Sequence, residues 1–448
     1  MLRFGALAAL VGATGITGRS ARASAPRNVD VIVIGAGIAG LAAASRLVAL
    51  GYEVIVLEAT GRLGGRIRTD HSLGAPFEAG AGWIHGPRRN PVSELARRAG
   101  ASTFVTDDES FIIHSAKGMP QARTRVLAAQ RRLEAMYARI DAMLDRDMAL
   151  SQAVRQTDPA AAGDPLLAWM TSAYTEFDTG GALEELSAQH FDEDETFDGA
   201  DVILPQGYDA VPKMLAGGLD IRLGHPVERV EYEAGDGATV FAGGGSFEAD
   251  FVVCTVPLGV LKARDVAFDP PLPRKTEAAL GRIGMGNVTK VALKFDQPHW
   301  PADVQYFGLM TEERGRWNYF LNYRTFSPQN ILLGLGVGAY AGKAEALADA
   351  DLSADIMQAV RAMFGSKVPD PVAMRVSRWS RNPYSRGAYS FASTGARPED
   401  FDGLAVPIER TLLLAGEHTT FRHHGTVHGA YLSGLEAARI IDDELWEK

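Results

Sequence analysis

Residues 29–58 open on Val29-Asp30-Val31-Ile32-Val33-Ile34, turn through Gly35-Ala36-Gly37-Ile38-Ala39-Gly40 and close on Glu53-Val54-Ile55-Val56-Leu57-Glu58. The first six residues are the short β-branched run of a strand buried on both faces. Ile38–Leu50 carries apolar residues at helical spacing and stops at Gly51, which can take the left-handed conformation of a C-cap. The last six residues form a second strand that ends in a carboxylate. This is a complete βαβ unit and predicts a doubly wound, Rossmann-like α/β domain. In GxGxxG the first glycine permits the tight turn and the second lets backbone approach a pyrophosphate. The third lets the helix pack closely on the strand, with the helix N-terminus aimed at the phosphates. Gly35, Gly37, Ile38, Ala39 and Gly40 are therefore candidate dinucleotide contacts. Glu58, followed by Ala59, is placed to accept hydrogen bonds from a ribose hydroxyl pair. A lone GxGxxG is weak evidence; strand, glycines, helix, strand and acid in register are much stronger. The alternative is a doubly wound domain that holds no nucleotide.

Gly61-Arg62-Leu63-Gly64-Gly65-Arg66 follows Glu58 within eight residues. An isolated Arg/Gly loop would be read as solvated surface. Placed here, Arg62, Gly65 and Arg66 can meet a diphosphate from its other side, which points to FAD rather than a nicotinamide cofactor.

Composition narrows the field. A chain of 448 residues suits two or three domains. Its 46% hydrophobic and 22% charged residues are those of a soluble globular protein. A formal net charge of −10 argues against nucleic acid as a partner and modestly favours cationic small molecules. The one cysteine, Cys254, excludes an intrachain disulfide and a cysteine-rich metal site. No apolar run approaches the ~20 residues needed to cross a bilayer. At the N-terminus Arg3 is followed by the uncharged stretch Phe4–Gly18, then Arg19, Arg22 and small residues at 21, 23 and 25. Residues 1–27 thus read as a signal peptide, implying export; the alternative is an N-terminal extension on a cytoplasmic protein. Only Arg3 precedes the apolar stretch, so the twin-arginine signal that a folded flavoprotein would use is missing.

Downstream, Asp250–Val256 and Arg410–Ala415 read as buried strands, and Thr426–Ile441 and Arg123–Met148 as helices. Val288–Phe295 alternates like a strand of a mixed sheet. The expected architecture is a Rossmann-like FAD-binding domain from residues 28–84, 203–287 and 396–448. It is interleaved with an α+β substrate-binding domain, a mixed sheet flanked by helices, from residues 85–202 and 288–395.

From about Asp30 to the C-terminus the sequence resembles the flavin-containing amine oxidases: polyamine and spermine oxidases, monoamine oxidases and the lysine-specific histone demethylase. The resemblance is carried by Val31–Gly40, Glu58–Arg66, Glu78–Gly86, Gly218–Gly224, Thr255–Lys262, Val288–Phe295, Asn382–Phe391 and Ala415–Leu435. It implies non-covalent FAD and hydride transfer to flavin N5 from the carbon beside an uncharged amine nitrogen. Imine hydrolysis and reduction of oxygen to hydrogen peroxide then follow.

The resemblance also assigns residues. Lys290 is similar to the family lysine that holds a water against flavin N5; alone it would read as a strand lysine on a solvent face. Ala81, Gly82, Trp83 and Ile84 are expected along the cofactor, with Trp83 also expected against the substrate. Gly416 and Glu417 are expected on its ribityl or pyrophosphate side, Val227 at the adenine and Trp379 beside the isoalloxazine. A helix starting at Thr426 and Val427 should direct its N-terminus at the pyrimidine edge, where a positive dipole end favours reduced flavin. Tyr389 and Thr426 correspond to the two positions above the flavin that face the amine. One aromatic and one threonine there is the demethylase pattern, not the paired tyrosines of monoamine oxidases. Ala388 stands where those enzymes carry a flavin-linked cysteine. His85 corresponds to the active-site histidine of animal polyamine oxidases. Asp194 and Glu195, in an acidic run that would otherwise be a solvated loop, align with a substrate-mouth segment. Arg88 and Arg89 could anchor a substrate carboxylate as amino-acid oxidases require, though beside Asn90-Pro91 they read as surface charges. His418, His423, His424 and His428 lie close in sequence, but with no nearby cysteine no metal is expected. The leading expectation is a polyamine substrate. The alternatives are an L-amino-acid or monoamine oxidase, and an FAD-binding scaffold without activity.

Overall fold

The computed structural model describes residues 29–445, so the signal-peptide expectation for residues 1–27 lies outside the described residues. Val29–Ile34 (β1) forms as the pattern dictates. It pairs in parallel with Val54–Glu58 (β2) on one side and with Gly245–Cys254 on the other. With neighbours on both edges, its alternate residues serve two cores. Val31 and Val33 join the cluster under helix Ile38–Leu50 (α1), while Ile32 and Ile34 join the cluster on the opposite face. α1 ends at Gly51 in the left-handed conformation, at a φ of 99°, where a side chain would be strained.

The eight-stranded sheet around β1 runs Ala267–Asp269, Val227–Glu233, Gly237–Ala242, Gly245–Cys254, β1, β2 and Asp220–Leu223, with Leu412–Leu414 also pairing on Gly245–Cys254. It is thus gathered from the beginning, middle and end of the chain. Helix Val427–Ile440 closes one face against α1. A Cβ on Gly434 would lie 2.1 Å from the carbonyl oxygen of Ala39. Glycine there lets the two helices approach to backbone contact, with the first turn of α1 against the middle of Val427–Ile440.

A second sheet of six strands has the order Ala373–Val376, Val288–Lys294, Ile331–Val337, Tyr319–Asn322, Tyr306–Leu309, Phe111–His114. It is mixed, since Phe111–His114 pairs in parallel while the other pairings are antiparallel. Val288–Lys294 is buried on both faces, with Thr289 at 0% and Lys290 at 6% exposure. Alternation does not place one face of this strand in solvent, because a helix covers the Thr289 side. The Thr289 hydroxyl there donates to the Ala341 carbonyl at 2.9 Å. Helices Arg123–Met143 and Pro165–Met170 flank the sheet, the first five residues shorter than its periodicity suggests. Residues 171–176 continue as a π-helical turn to the stop at Gly180. Such turns are frequent at functional sites, and here Phe177 and Asp178 line a cavity.

Gly284–Met285 and Ser390–Phe391 pair as a separate two-stranded sheet. Among the described residues the molecule is therefore a mixed α/β fold with two large sheets, three two-stranded pairings and a large cavity between the large sheets. No helix of the described residues is long and apolar enough to cross a membrane.

Candidate active site

The cavity has a volume of about 1220 Å³ and runs from the carboxyl ends of β1 and β2, past Lys290, to the helices over the second sheet. At the first end, Gly37 caps α1 without any side-chain hydrogen bond, and the first turn carries no acid. Nothing lies within 4 Å of the position a Cβ on Gly37 would take. Bare N–H groups at a helix N-terminus with an open approach form a phosphate site. The third glycine of the motif acts through packing instead, since a Cβ on Gly40 would lie 2.0 Å from the Gly35 carbonyl oxygen. Glu58 ends β2 at the same place. Its Oε2 accepts the Ala36 amide at 2.8 Å and its Oε1 the amide and hydroxyl of Thr60. Those bonds fix the carboxylate and leave acceptor positions for a ribose. Ile38, Ala39, Ala59, Arg62, Gly65, Ala81, Ile84, Val227 and Gly416 line the same cavity. The donors, the fixed acid and the open backbone fit an FAD dinucleotide.

Arg62 points its guanidinium at the carbonyls of Leu63 and Gly65, shaping its own loop. Arg66 lines the cavity as well, and its Nη1 donates to Glu417 at 2.7 Å and to the Ala388 carbonyl at 3.0 Å. Glu417 in turn accepts from the Ser390 amide and hydroxyl and from the Gly425 amide. Burial alone would raise its pKa, but Arg66, then His418 and Ser390, more than reverse this and hold it at about 2. Its oxygens are taken by the protein, so Glu417 orders the loops around the cofactor instead of presenting a free carboxylate. Thr426 likewise lines the cavity, yet its hydroxyl accepts from the Gly429 amide and donates to the His423 carbonyl. It is an N-cap first, and Val427 begins the helix behind it.

Lys290 reaches the cavity from the second sheet. Its Nζ donates to the Gly80 carbonyl at 2.6 Å and stands 4.9 Å from the ring centroid of Trp83. Burial lowers its pKa to about 8 against the opposing pull of Glu78. A Cβ on Gly82 would lie 3.3 Å from that nitrogen, so glycine keeps the approach open. Trp379 donates its indole N–H to the Ala79 carbonyl at 2.7 Å and backs the same loop. Tyr389 donates its hydroxyl to the Phe177 carbonyl, which fixes its ring as a wall.

Beyond Lys290 the walls are aromatic and the polar groups acidic. His85 shares a 2.6 Å hydrogen bond with Asp201, whose other oxygen accepts the Gly86 amide. Burial opposes a charge on His85, but the hydrogen bond and charge of Asp201, then Asp178, raise its pKa. Asp178 faces the same space. Burial lifts its pKa to about 7; His85 pulls it down while Asp194, Asp201 and Asp192 push it up. Asp194 and Glu195 both line the cavity, but Glu195 pairs with Arg422. Of the two acids expected at the mouth, Asp194 is thus the more open to a ligand. Asp108 adds a carboxylate from the loop before Phe111–His114. Phe177, Tyr174, Tyr319 and Trp169 supply apolar surface between these acids.

Asp178, Asp201 and Asp108 were not among the residues the sequence singled out. They stand in unremarkable stretches, and only the fold brings them to His85. Arg88 and Arg89 do not line the cavity, and Arg89 pairs with Asp198 at the surface. Of the histidines, the rings of His423 and His428 pack edge to face at 5.0 Å. His418 and His428 are buried with their pKa lowered to about 4 and about 3 by burial. His423 and His424 meet the carbonyls of Glu195 and Phe421. Cys254 sits in its strand at 1% exposure, its thiol pushed up to about 12 by burial, and does not line the cavity.

Comparison with known proteins agrees with this geometry. The family model described as flavin containing amine oxidoreductase matches residues 38–442. Probable polyamine oxidase 4 of Arabidopsis thaliana is 33% identical over 94% of this chain and 89% of that protein. Lysine-specific histone demethylase 1 homolog 2 of Arabidopsis thaliana is 34% identical over 92% of this chain, which spans only 58% of that protein. In fold, a putrescine oxidase solved with putrescine bound superposes with a TM-score of 0.77 at 24% identity, covering 92% of this chain and 99% of that one. With a family match over nearly the whole described chain and a cavity built for its dinucleotide, this protein belongs to the flavin-containing amine oxidoreductases and is an FAD-dependent amine oxidase.

Proposed function

We propose that the amine is a polyamine, oxidised at the carbon beside an uncharged nitrogen placed between Lys290, Tyr389 and Trp83, with hydrogen peroxide as the second product. The observation that carries this reading is the ring of carboxylates, Asp178, Asp194, Asp108 and Asp201, set among aromatic walls on the far side of Lys290. Such a passage holds remote ammonium groups by charge and the methylene chain by contact. The apolar surroundings near Tyr389 favour a neutral nitrogen, which is the form that can release a hydride. Bound FAD supplies the hydride acceptor and the route of electrons to oxygen. The protein residues do the rest. Lys290 holds a proton at Nζ beside the cavity, Tyr389 and Trp83 orient the amine, and the acids set its depth. The eight-stranded sheet serves as the cofactor domain and the six-stranded sheet as the substrate domain.

The names of the similar proteins support a polyamine, as does the position of Arg88 and Arg89 outside the cavity, where they are of no use to an amino-acid carboxylate. The test is peroxide release from the FAD-loaded protein with spermine, spermidine, putrescine, tyramine and a set of amino acids. Turnover of the polyamines is expected; turnover of amino acids alone would sink the reading. Failure of every amine to bleach the flavin anaerobically would point to a non-catalytic scaffold.

A further inference from the structure

Lys290 stands in the wall between two spaces. One is the large cavity; the other is a chamber of about 30 Å³ lined by Glu78, Gly82, Trp83, Lys290, Tyr323 and Ser327, among others. That volume holds a water molecule or two when polar partners are present. Glu78 lines only the small chamber and is the one carboxylate among the described residues that do so. It leaves the short pairing Phe77–Glu78 with Thr69–Asp70, so its position is set by backbone. Its Oε2 accepts the Thr69 hydroxyl and its Oε1 the Tyr208 amide, both at 2.8 Å. A Cβ on Gly82 would touch both partners, lying 3.3 Å from Lys290 Nζ and 3.4 Å from Glu78 Cβ. Glycine at 82 therefore leaves the gap between acid and ammonium open.

We propose that Glu78 and Lys290 share one proton across this chamber through water, so that Glu78 sets the charge of the lysine facing the flavin cavity. The step moves a proton from the Lys290 ammonium to the Glu78 carboxylate and leaves a neutral amine and a neutral acid. No net charge appears or disappears, so a buried site tolerates it. Glu78 is a positioning residue, acting on the reaction only through Lys290. Burial brings the two groups together in acidity, Glu78 up to about 7 and Lys290 down to about 8. Each feels the other's charge across the shared chamber, so the two titrate as a pair. The other titratable groups facing them are His85 toward Lys290, and Asp209, Tyr208 and Tyr323 toward Glu78.

The inference rests on the placement of Lys290 at the reactive edge of the site, and the experiment separates the two. In the FAD-loaded full chain labelled with carbon-13 at lysine Cε, the Lys290 resonance is assigned by its loss in Lys290→Met and then titrated. Glu78→Gln removes the counter-charge and should lower the Lys290 midpoint by about one pH unit, a tenfold change in proton affinity. Thr69→Val leaves the carboxylate but removes one hydrogen bond to it. It should lower the Lys290 midpoint less, and it tests the proposal if Glu78→Gln loses its cofactor. A midpoint unmoved in both variants, or a Lys290 that titrates like a free lysine, overturns the pairing. If the midpoint moves and the pH profile of amine turnover moves with it, both readings stand. If it moves while the pH profile stays, the pairing stands and Lys290 is not at the reactive edge.

Discussion

Asp178 brings a carboxylate into a space whose walls are Phe177, Tyr174 and Tyr319, and its pKa of about 7 follows from that burial and from the neighbouring acids. Its charge is therefore adjustable in the neutral range, as that of a free aspartate is not. Only the ionised form attracts an ammonium group, so KM for spermine should fall as pH rises through about 7. Asp178→Asn should raise KM for spermine about tenfold, near 1.4 kcal/mol of binding, and flatten that pH dependence. A monoamine with no second cation should be indifferent to the change. Steady-state kinetics with both substrates from about pH 6 to 9 would decide it. The same acid carries a stability cost of definite sign. A carboxylate whose pKa is raised in the fold binds its proton more tightly there than when unfolded. Stability is then lost as pH rises from the ordinary value of 3.8 towards 7. Asp178→Asn should consequently melt higher than the parent at pH 8 while binding polyamine less well.

At the scale of elements, β1, the glycine turn and α1 form one unit whose parts can be separated by substitution. Gly40→Ala would put a methyl group 2.0 Å from the Gly35 carbonyl, so the helix must move off the strand that aims it. FAD retention after gel filtration should be lost, and the melting temperature should fall with it. Gly51→Ala is the control: with φ at 99° and nothing within 4 Å, it costs about 1 kcal/mol of backbone strain. FAD content should be unchanged. This contrast explains what was legible in the sequence. Strand, turn and helix at residues 29–58 are set by neighbours in the chain, and their boundaries could be read from β-branching and glycine. The buried strand around Lys290 was legible as a strand. The covering of both its faces was not, because it depends on helix Gly338–Ala346 packed from elsewhere. Asp178 and Asp201 carry no local signal at all. A π-helical turn and a strand bridge at Ile84 and Val202 bring them to His85, and both are tertiary events. Thr426 was legible by position, at the cavity wall and at the helix start, while the N-cap bond that occupies its hydroxyl shows only in the fold.

The whole molecule is held at its cofactor end by a junction that no single element contains. Glu417 accepts Arg66 from the loop after β2, Ser390 from the short strand Ser390–Phe391, and Gly425 from the lead into the C-terminal helix. Arg66 and Glu417 are 351 residues apart in sequence, so their contact closes a large loop through both sheets. Glu417→Gln leaves the Arg66 guanidinium short of its counter-charge in a largely buried place. Breaking such a pair from one side costs about 3 kcal/mol. The pH dependence has a fixed sign. The carboxylate sits at about 2 in the fold against an ordinary 4.5, so its contribution is fully present above 4.5 and fades as pH falls towards 2. Denaturant midpoints of parent and Glu417→Gln should be well separated at pH 7 and converge as the pH is lowered through this window. A gap that stayed constant down to about pH 3 would mean that the glutamine disturbs packing and not charge. Because the junction ties three loops that border the cavity, loss of the charge should also loosen the cofactor and the polyamine passage together, with FAD dissociation and a higher KM appearing in the same variant.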